Sequence, residues 1–221
     1  MKVILMDIDD TLMDFEQCSY KAIQSALLLC GWIMSDDFFY KFTQLNNQLW
    51  RDYAEGKIEK KILMNIRWEI LFKEEKININ PVGFDDIFQS QLKQQYVLID
   101  GAKELMEYLS TKYNVFVASN GIATGQEYRL KQSGLYDYFQ GMFVSDEIGY
   151  PKPQKEFFDY CIDHLSCQRD EIMIIGDSLE ADIVGGINAG IKTCWVNLKN
   201  KKTDLKIDYE VHSLKEIREF L

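Results

Sequence analysis

A short apolar segment near the N-terminus ends in a cluster of three aspartates. The run Val3–Met6 predicts a buried strand, and Asp7, Asp9 and Asp10 follow it directly. Carboxylates crowded at the exit of a buried element are costly unless a cation offsets their charge. Because side chains alternate along a strand, Asp7 and Asp9 point the same way and could serve one metal ion and one reacting group. This pattern is typical of a phosphoryl-transfer strand, but a solvated loop or a helix N-cap would also produce it.

Composition limits the fold classes that are possible. With 221 residues, 47% hydrophobic and 27% charged, the chain suits one large domain, or one domain with a modest insertion, around its own core. Three prolines leave little room for disordered linkers. The five cysteines are scattered without a Cys-x-x-Cys pair, which indicates reduced core thiols.

The charge balance limits the possible partners. A formal net charge of -10 argues against nucleic-acid polymers and anionic membranes, which bind basic surfaces. Asp7 interrupts the first apolar run, and no segment approaches the roughly 20 apolar residues of a membrane span, so we expect a cytoplasmic protein. An anionic small substrate would have to be attracted locally, by a lysine and a metal ion.

The region 15–97 has the periodicity of helices only. Four apolar faces recur at helical spacing and are separated by glycine or proline signals, which predicts a four-helix insertion. The residues on these faces are, helix by helix, Ile23, Ala26, Leu27 and Cys30; Phe38, Phe42, Leu45, Leu49 and Tyr53; Ile58, Ile62, Ile66 and Ile70; and Phe84, Phe88 and Leu92.

From Asp100 onward, strands and helices alternate. Helices are predicted over 101–111, through 157–161 and through 181–189; strands are predicted at 115–118, 142–144, 172–175, 193–196 and 209–211. Such alternation predicts an α/β fold, a parallel sheet with helices on both faces. The first strand belongs to this sheet, so residues 1–14 and 98–221 form the core that the segment 15–97 interrupts. We expect that helical segment to lie over the carboxyl ends of the strands, where open α/β sheets bind ligands.

Two polar positions lie in the first half of this α/β region. Ser119-Asn120-Gly121 follows the strand at 115–118, and its hydroxyl and turn N–H groups could hold phosphoryl oxygens or form a plain turn. Lys152 stands between two prolines, which restrict where the ammonium group can point. A fixed positive charge near several aspartates fits a phosphate site, whereas a solvated loop lysine is the alternative.

A further polar segment, Gly176-Asp177 with Asp182 five residues later, closes the strand at 172–175. The Asp177 carboxylate would be a hard oxygen ligand of the kind that Mg²⁺ prefers. Asp182 lies near the same edge and could hold a metal-bound water or the lysine. Helix capping by Asp177 or Ser178 is the alternative, and it is compatible with metal binding.

Taken in order, these four motifs resemble those of the haloacid dehalogenase superfamily, in its phosphatase branch, over essentially the whole chain. That family carries Asp-x-Asp-x-Thr, a Ser or Thr, a Lys, and Gly-Asp followed by an Asp four or five residues on. Asp10 stands where glycine is usual in the first motif. The resemblance implies a Rossmann-like parallel sheet, and the helical insertion is similar to the family's first class of cap domain.

The resemblance also implies residue roles. Asp7 would attack phosphorus and form an aspartyl-phosphate, and Asp9 would protonate the leaving alcohol and then deprotonate water. Mg²⁺ would be held by Asp7, the backbone carbonyl of Asp9 and Asp177. The remaining implied residues are Ser119, the backbone near Asn120 and Lys152 for the phosphoryl oxygens, with Thr11 and Asp182 in support.

The second acidic residue of the first motif, Asp9, distinguishes between two activities of that family. Dehalogenases lack an equivalent of Asp9, because a halide leaving group needs no proton, so the resemblance implies a phosphomonoester substrate. Stretches around 49–58 and 185–197 are similar to bacterial house-cleaning pyrimidine 5'-nucleotidases. Four residues are candidates for substrate specificity: Trp50 or Tyr53 could stack on a base, and Arg51 or Lys57 could meet polar groups of the substrate. For the aromatic residues, a place in the core is the alternative.

Other functions stay open at this point. A phosphatase for another small metabolite, such as phosphoglycolate or a sugar phosphate, would carry the same core residues. A catalytically inactive module that binds phosphate or metal is the non-enzymatic alternative. The sequence does not predict the oligomeric state, and it gives no role to His164 or His212, which lie beside none of the four motifs.

Overall fold

The computed structural model describes all 221 residues and divides into two compact units. The α/β unit comprises residues 1–14 and 96–221, and the helical unit comprises residues 15–95. The second boundary predicted from the sequence lies two residues later, between 97 and 98. None of the helices combines the length and apolar character that crossing a bilayer requires.

The strands and helices follow the chain in this order. The strands are β1 Val3–Met6, β2 Asn114–Ser119, β3 Gly141–Val144, β4 Ile172–Gly176, β5 Lys192–Val196 and β6 Tyr209–Val211. The helices are α1 Phe15–Leu29, α2 Asp36–Ala54, α3 Lys60–Glu74, α4 Phe84–Leu92, α5 Ala102–Ser110, α6 Ala123–Ser133, α7 Ser145–Ile148, α8 Lys155–Asp163 and α9 Gly185–Ala189.

The α/β unit is built on a six-stranded sheet with the order β3-β2-β1-β4-β5-β6. All five pairings are parallel, which confirms the predicted parallel sheet. Strand β1 lies between β2 and β4, so successive connections leave it in opposite directions. In open α/β sheets, the crevice at such a switch point, outside the carboxyl ends of the strands, is where ligands bind.

Helices cover both faces of this sheet, as the alternation of strands and helices predicted. Ile4 and Met6 of β1 point to one face, where they join a buried cluster with Leu105 of α5 and Leu130 of α6. The intervening Leu5 points to the other face and joins a cluster that includes Phe157 and Phe158 of α8. Because each fully buried side chain of this size contributes about 1.5–3 kcal/mol, these two layers hold the strand ends in place.

The helical unit packs around one buried tryptophan. Trp68 of α3 is fully buried and stacks on Phe42 of α2, with 5.5 Å between the ring centroids. Phe84 of α4 meets it edge-on at 4.8 Å. The indole Nε1 donates to Asp85 at 2.8 Å, so the polar atom of the buried ring is satisfied.

The buried face of α3 differs from the predicted one. The sequence predicted a face of Ile58, Ile62, Ile66 and Ile70. Ile58 and Ile66 are partly buried against a cluster that includes Leu63, whereas Ile62 is 48% exposed. The buried residues of this helix are Leu63, Arg67, Trp68, Leu71 and Phe72. The larger aromatic rings bury more apolar area than the isoleucines. Arg67 is buried beside them, and Asp85 and Asn46 accept its hydrogen bonds at 2.5 and 2.7 Å.

The fourth motif also differs locally from the expected helix through 181–189. Residues Leu179–Val184 form a π-helical turn, and the α-helix α9 begins only at Gly185. Ser178 caps the turn by accepting the Ala181 N–H at 3.0 Å. The wider turn carries Asp182 near the end of β4, and π-helical turns of this kind often occur at functional sites.

Candidate active site

The Asp7 side chain lies at the carboxyl end of β1 and is almost buried. Its Oδ1 accepts a hydrogen bond from Lys152 Nζ at 2.8 Å, and its Oδ2 accepts one from the fully buried Thr11 hydroxyl at 3.2 Å. Burial raises the pKa of Asp7 to about 7, even though the Lys152 charge acts to lower it. Burial of the Asp7 carboxyl therefore outweighs the effect of the nearby positive charge, which favours the ionised form.

The Lys152 ammonium group is buried rather than solvated, and all three of its protons are used. Besides Asp7 Oδ1, it donates to Asp182 Oδ1 at 2.6 Å and to the Ala118 carbonyl oxygen at 2.5 Å. Burial acts to lower the pKa of Lys152, but the charges of Asp182 and Asp7 outweigh it and the pKa is raised. The side chain therefore stays cationic at the carboxyl ends of β1 and β2.

Asn120 holds the backbone that carries this lysine. Its Oδ1 accepts the Lys152 N–H at 2.8 Å, and its Nδ2 donates to the Lys152 carbonyl oxygen at 2.9 Å. The Asn120 carbonyl oxygen accepts from Ser145 Oγ at 3.2 Å. The asparagine side chain is thus occupied in positioning Lys152, which leaves only backbone groups for the phosphate contact predicted at this position.

Two carboxylates from the β4 edge join Asp7. The carboxylate of Asp182 is buried, with Oδ1 on Lys152 and Oδ2 accepting the Ser178 N–H at 3.1 Å. Gly176 makes room for it, because a Cβ on that residue would lie 2.2 Å from Asp182 Oδ2. Carboxylate oxygens of Asp7, Asp177 and Asp182 all lie within 4.8 Å of one another.

This group of three carboxylates fits a divalent cation. No side chain or backbone N–H of the protein donates to the Asp177 carboxylate; the one hydrogen bond at this residue runs from Trp195 Nε1 to its carbonyl oxygen, at 2.8 Å. Burial, with the charges of Asp7 and Asp182, raises the pKa of Asp177 well above its ordinary value. Oxygen ligands of this kind suit Mg²⁺, and a cation would offset the repulsion that the three carboxylates otherwise create.

Asp9 points to a different set of partners. Its Oδ1 accepts from Arg129 Nη1 at 2.6 Å, and its Oδ2 accepts from Gln126 Nε2 at 2.6 Å. Gln126 Nε2 also lies 3.1 Å from the hydroxyl oxygen of Ser119, at the end of β2. The sequence analysis did not identify Arg129, Gln126 or their helix α6.

The remaining candidates of the sequence analysis belong to the helical unit, and the two histidines belong to the α/β unit. Trp50 and Tyr53 of α2 pack edge-on, with their ring centroids 5.7 Å apart. Arg51 is exposed and donates to Gln48 at 2.8 Å, and Lys57 pairs with Glu55 and with Asp52. The two histidines are both exposed: His164 stacks on Tyr160 at 4.0 Å, and His212 Nδ1 lies 3.1 Å from the Asn197 carbonyl oxygen.

Comparison with known proteins gives a family match over most of the chain. A sequence profile described as haloacid dehalogenase-like hydrolase matches residues 4–196. The HAD-hydrolase YfnB of Bacillus subtilis is 32% identical over 223 residues, which span 100% of this chain and 95% of YfnB. A crystal structure of YfnB bound to magnesium superimposes with a TM-score of 0.94, covering 99% of this chain and 97% of the other.

Two similar proteins carry a more specific name. Pyrimidine 5'-nucleotidase YjjG of Escherichia coli is 31% identical over 99% of this chain and 96% of its own length. Pyrimidine 5'-nucleotidase PynA of Streptococcus pneumoniae is 34% identical over 100% of this chain and 94% of its own length. The similarity therefore extends over both structural units and is not confined to the sheet.

Proposed function

The chain belongs to the haloacid dehalogenase-like hydrolases and is a phosphomonoesterase, and from this premise we propose that it is a Mg²⁺-dependent nucleoside 5'-monophosphate phosphatase that prefers pyrimidine nucleotides. The observation that carries the proposal is the contact of 2.8 Å between Lys152 Nζ and Asp7 Oδ1, beside two further carboxylates. The full-length similarity to two pyrimidine 5'-nucleotidases supports the choice of substrate.

The first half of the proposed reaction forms a covalent bond to Asp7. Asp7 Oδ attacks phosphorus as the bond from phosphorus to the ribose 5' oxygen breaks, and Asp9 transfers its proton to that oxygen, so that the nucleoside leaves as an alcohol. The Ser119 hydroxyl and the backbone near Asn120 hold the nonbridging oxygens, and the Lys152 ammonium, whose protons already have acceptors, provides positive charge beside them. Mg²⁺, held by Asp7, the Asp9 carbonyl oxygen and Asp177 with Asp182 in support, would reduce the repulsion between the carboxylate and the phosphate.

The second half restores the enzyme. Asp9, now a carboxylate, takes a proton from the water molecule that attacks phosphorus, and the bond between phosphorus and Asp7 breaks to give inorganic phosphate. Thr11, whose hydroxyl donates to Asp7 Oδ2 at 3.2 Å, keeps the nucleophile oriented through both steps. One carboxylate thus acts first as an acid and then as a base.

A phosphate-release assay on a substrate panel tests the proposal. We expect turnover of UMP, dUMP and TMP that requires Mg²⁺ and exceeds turnover of AMP, GMP, phosphoglycolate and sugar phosphates. Highest activity on phosphoglycolate or a sugar phosphate would replace the nucleotidase proposal with the alternative phosphatase. Absence of turnover across the panel, despite Mg²⁺ binding, would indicate an inactive binding module.

Two variants test the covalent step. Asp7→Asn removes the nucleophile, and we expect it to abolish turnover, whereas retained turnover would exclude attack by Asp7. Asp9→Asn removes the acid and base, for which a loss of about 10²–10⁴-fold is expected. Lys73→Ala serves as the control: Lys73 is exposed on α3 of the helical unit, and we expect the variant to keep wild-type turnover.

A role in substrate specificity for Trp50, Arg51, Tyr53 and Lys57 is part of the same proposal. Arg51 is exposed, so Arg51→Ala leaves the core of the helical unit intact. If this residue meets the base, the variant raises KM for UMP and leaves p-nitrophenyl phosphate, which carries no base, unaffected. Equal effects on both substrates would remove Arg51 from the list of specificity residues.

A further inference from the structure

Two side chains of α6 donate hydrogen bonds to the Asp9 carboxylate, one to each oxygen. Arg129 Nη1 lies 2.6 Å from Oδ1, and Gln126 Nε2 lies 2.6 Å from Oδ2. The two residues are three positions apart, so they project from the same face of the helix. Both are almost fully buried, with exposed fractions of 3% for Arg129 and 2% for Gln126.

Asp9 itself lacks the support of the sheet. It lies beyond the end of β1 and makes only an isolated bridge to Met13, and its side chain is 29% exposed. Without partners, its carboxylate could rotate among several positions. Arg129 Nη1 also donates to Gln126 Oε1 at 3.2 Å, which fixes the amide with its NH₂ group toward Asp9.

The same amide connects Asp9 to Ser119. Gln126 Nε2 donates to Ser119 Oγ at 3.1 Å, and the Gly121 N–H donates to that oxygen at 3.0 Å. Because both acceptor positions of the hydroxyl are filled, its own proton is left to donate outward. Gly121 is required for this arrangement, since a Cβ there would lie 2.5 Å from Gln126 Nε2.

We propose that Arg129 and Gln126 are positioning residues that hold Asp9 in register with the phosphate-binding hydroxyl of Ser119. The inference rests on the proposed function, in which Asp9 transfers a proton to the leaving oxygen. A general acid must lie within hydrogen-bond reach of that oxygen, and a displacement of about 1 Å is enough to cost on the order of 10²-fold in rate. Arg129 and Gln126 touch no reacting atom and act only through Asp9 and Ser119.

The dependence of the rate on the leaving group tests this role. An alkyl phosphate such as UMP needs a proton on its leaving oxygen, whereas p-nitrophenolate leaves without one. We expect Arg129→Met to lower kcat/KM for the best alkyl substrate of the panel by about tenfold to a hundredfold. For p-nitrophenyl phosphate, the fall in kcat/KM should be only about twofold, because that constant reports the first half of the reaction.

A second variant and a matched control accompany this measurement. Gln126→Leu keeps the test decisive if Arg129→Met folds poorly. It removes a donor to Asp9 and to Ser119, so we expect kcat/KM to fall for both substrates and to fall further for the alkyl substrate. Lys131→Met removes a cation from the solvent-facing side of the same helix, where Lys131 is 51% exposed and pairs with Glu127. Its kcat/KM for both substrates should equal that of the wild type.

A double-mutant comparison separates positioning from general loss of structure. If Arg129 acts through Asp9, then adding Arg129→Met to Asp9→Asn causes little further loss for the alkyl substrate. Equal losses on both substrates, no loss on either, or additive losses in the double variant would each overturn the inference. A wild-type protein that hydrolyses no phosphomonoester would overturn the proposed function itself, and with it this role.

Discussion

Lys152 Nζ lies 2.6 Å from Asp182 Oδ1, and the exposed fractions of the two side chains are only 2% and 1%. A buried ammonium is stable only where acceptors satisfy each of its protons and carboxylates balance its charge. Asp182 contributes to both, since the lysine has only Asp7 and one carbonyl oxygen as further partners. The pair therefore determines where the positive charge of the candidate active site lies.

Removal of the Asp182 charge is expected to destabilise the fold. In Asp182→Asn, one oxygen becomes an NH₂ group that faces either the Lys152 ammonium or the Ser178 N–H, so two donors meet. A broken buried pair costs about 3–5 kcal/mol, and we expect a loss in that range in urea unfolding. The exposed pair between Lys155 and Asp159 gives the control, because Lys155→Met should leave the urea midpoint unchanged. An unchanged midpoint for Asp182→Asn would contradict a structural role for the pair.

The stability of the metal-free protein should fall as pH rises. The pKa of Asp7 is about 7 in the folded protein and about 3.9 in an unfolded chain, so the folded state holds more protons between these values. The contribution of the protonated Asp7 carboxyl to the free energy of unfolding is present at low pH and is lost as the pH rises toward 7. Bound Mg²⁺ would offset the charge, so the rise in Tm on adding Mg²⁺ should be larger near about pH 8 than near about pH 5. Thermal unfolding with EDTA or Mg²⁺ measures this, and an increment independent of pH would count against Asp7 as a ligand.

Gly176 should not tolerate a side chain, for a reason specific to this site. In Gly176→Ala, the new Cβ would lie 2.2 Å from Asp182 Oδ2, and Asp182 would have to leave Lys152. Overpacking of this kind costs about 1–3 kcal/mol, and phosphate release should fall with it. Gly125→Ala is the matched control, because its Cβ meets nothing nearer than 4.0 Å and the residue lies in α6. That change should stabilise the protein by up to about 1 kcal/mol, and similar effects at the two glycines would refute the steric explanation.

The sequence predicted the sheet and the edge at which the candidate active site lies, because both leave simple signals. Buried parallel strands consist of continuous apolar runs such as Ile172–Ile175, and the polar residues that follow them meet at one edge. The convergence of Lys152 and Asp177 on Asp7, which lies more than a hundred positions before either of them, could therefore be anticipated. The partners of the Asn120 side chain could not, because they depend on the paths of loops, whereas the lysine was one of the two partners predicted for Asp182.

Helix α6 was not predicted because polar residues occupy its buried face. Its buried positions are Ala123, Gln126, Arg129 and Leu130, so a search for apolar periodicity finds only two of the four. The topology does contain a signal, since two neighbouring parallel strands such as β2 and β3 need a crossover, usually a helix. Polar residues on a buried helix face interrupt the apolar periodicity by which such a face is found in a sequence. In α6 the interrupting residues, Gln126 and Arg129, are the ones proposed to position Asp9.

In helix α3, too, a buried charged residue interrupts the apolar periodicity. Substitutions at two neighbouring residues measure which face of this helix is buried. Arg67 on the buried face breaks its apolar pattern, whereas the isoleucines at a spacing of four predicted a face that is buried only in part, as at Ile58 and Ile66. Leu63 is fully buried and Ile62 is 48% exposed, so Leu63→Ala should cost about 2–5 kcal/mol in urea unfolding. Ile62→Ala removes a similar number of carbon atoms from a solvated position and should cost less than about 1 kcal/mol. The reverse order of costs would restore the face predicted from the sequence and contradict the packing of α3 around Trp68.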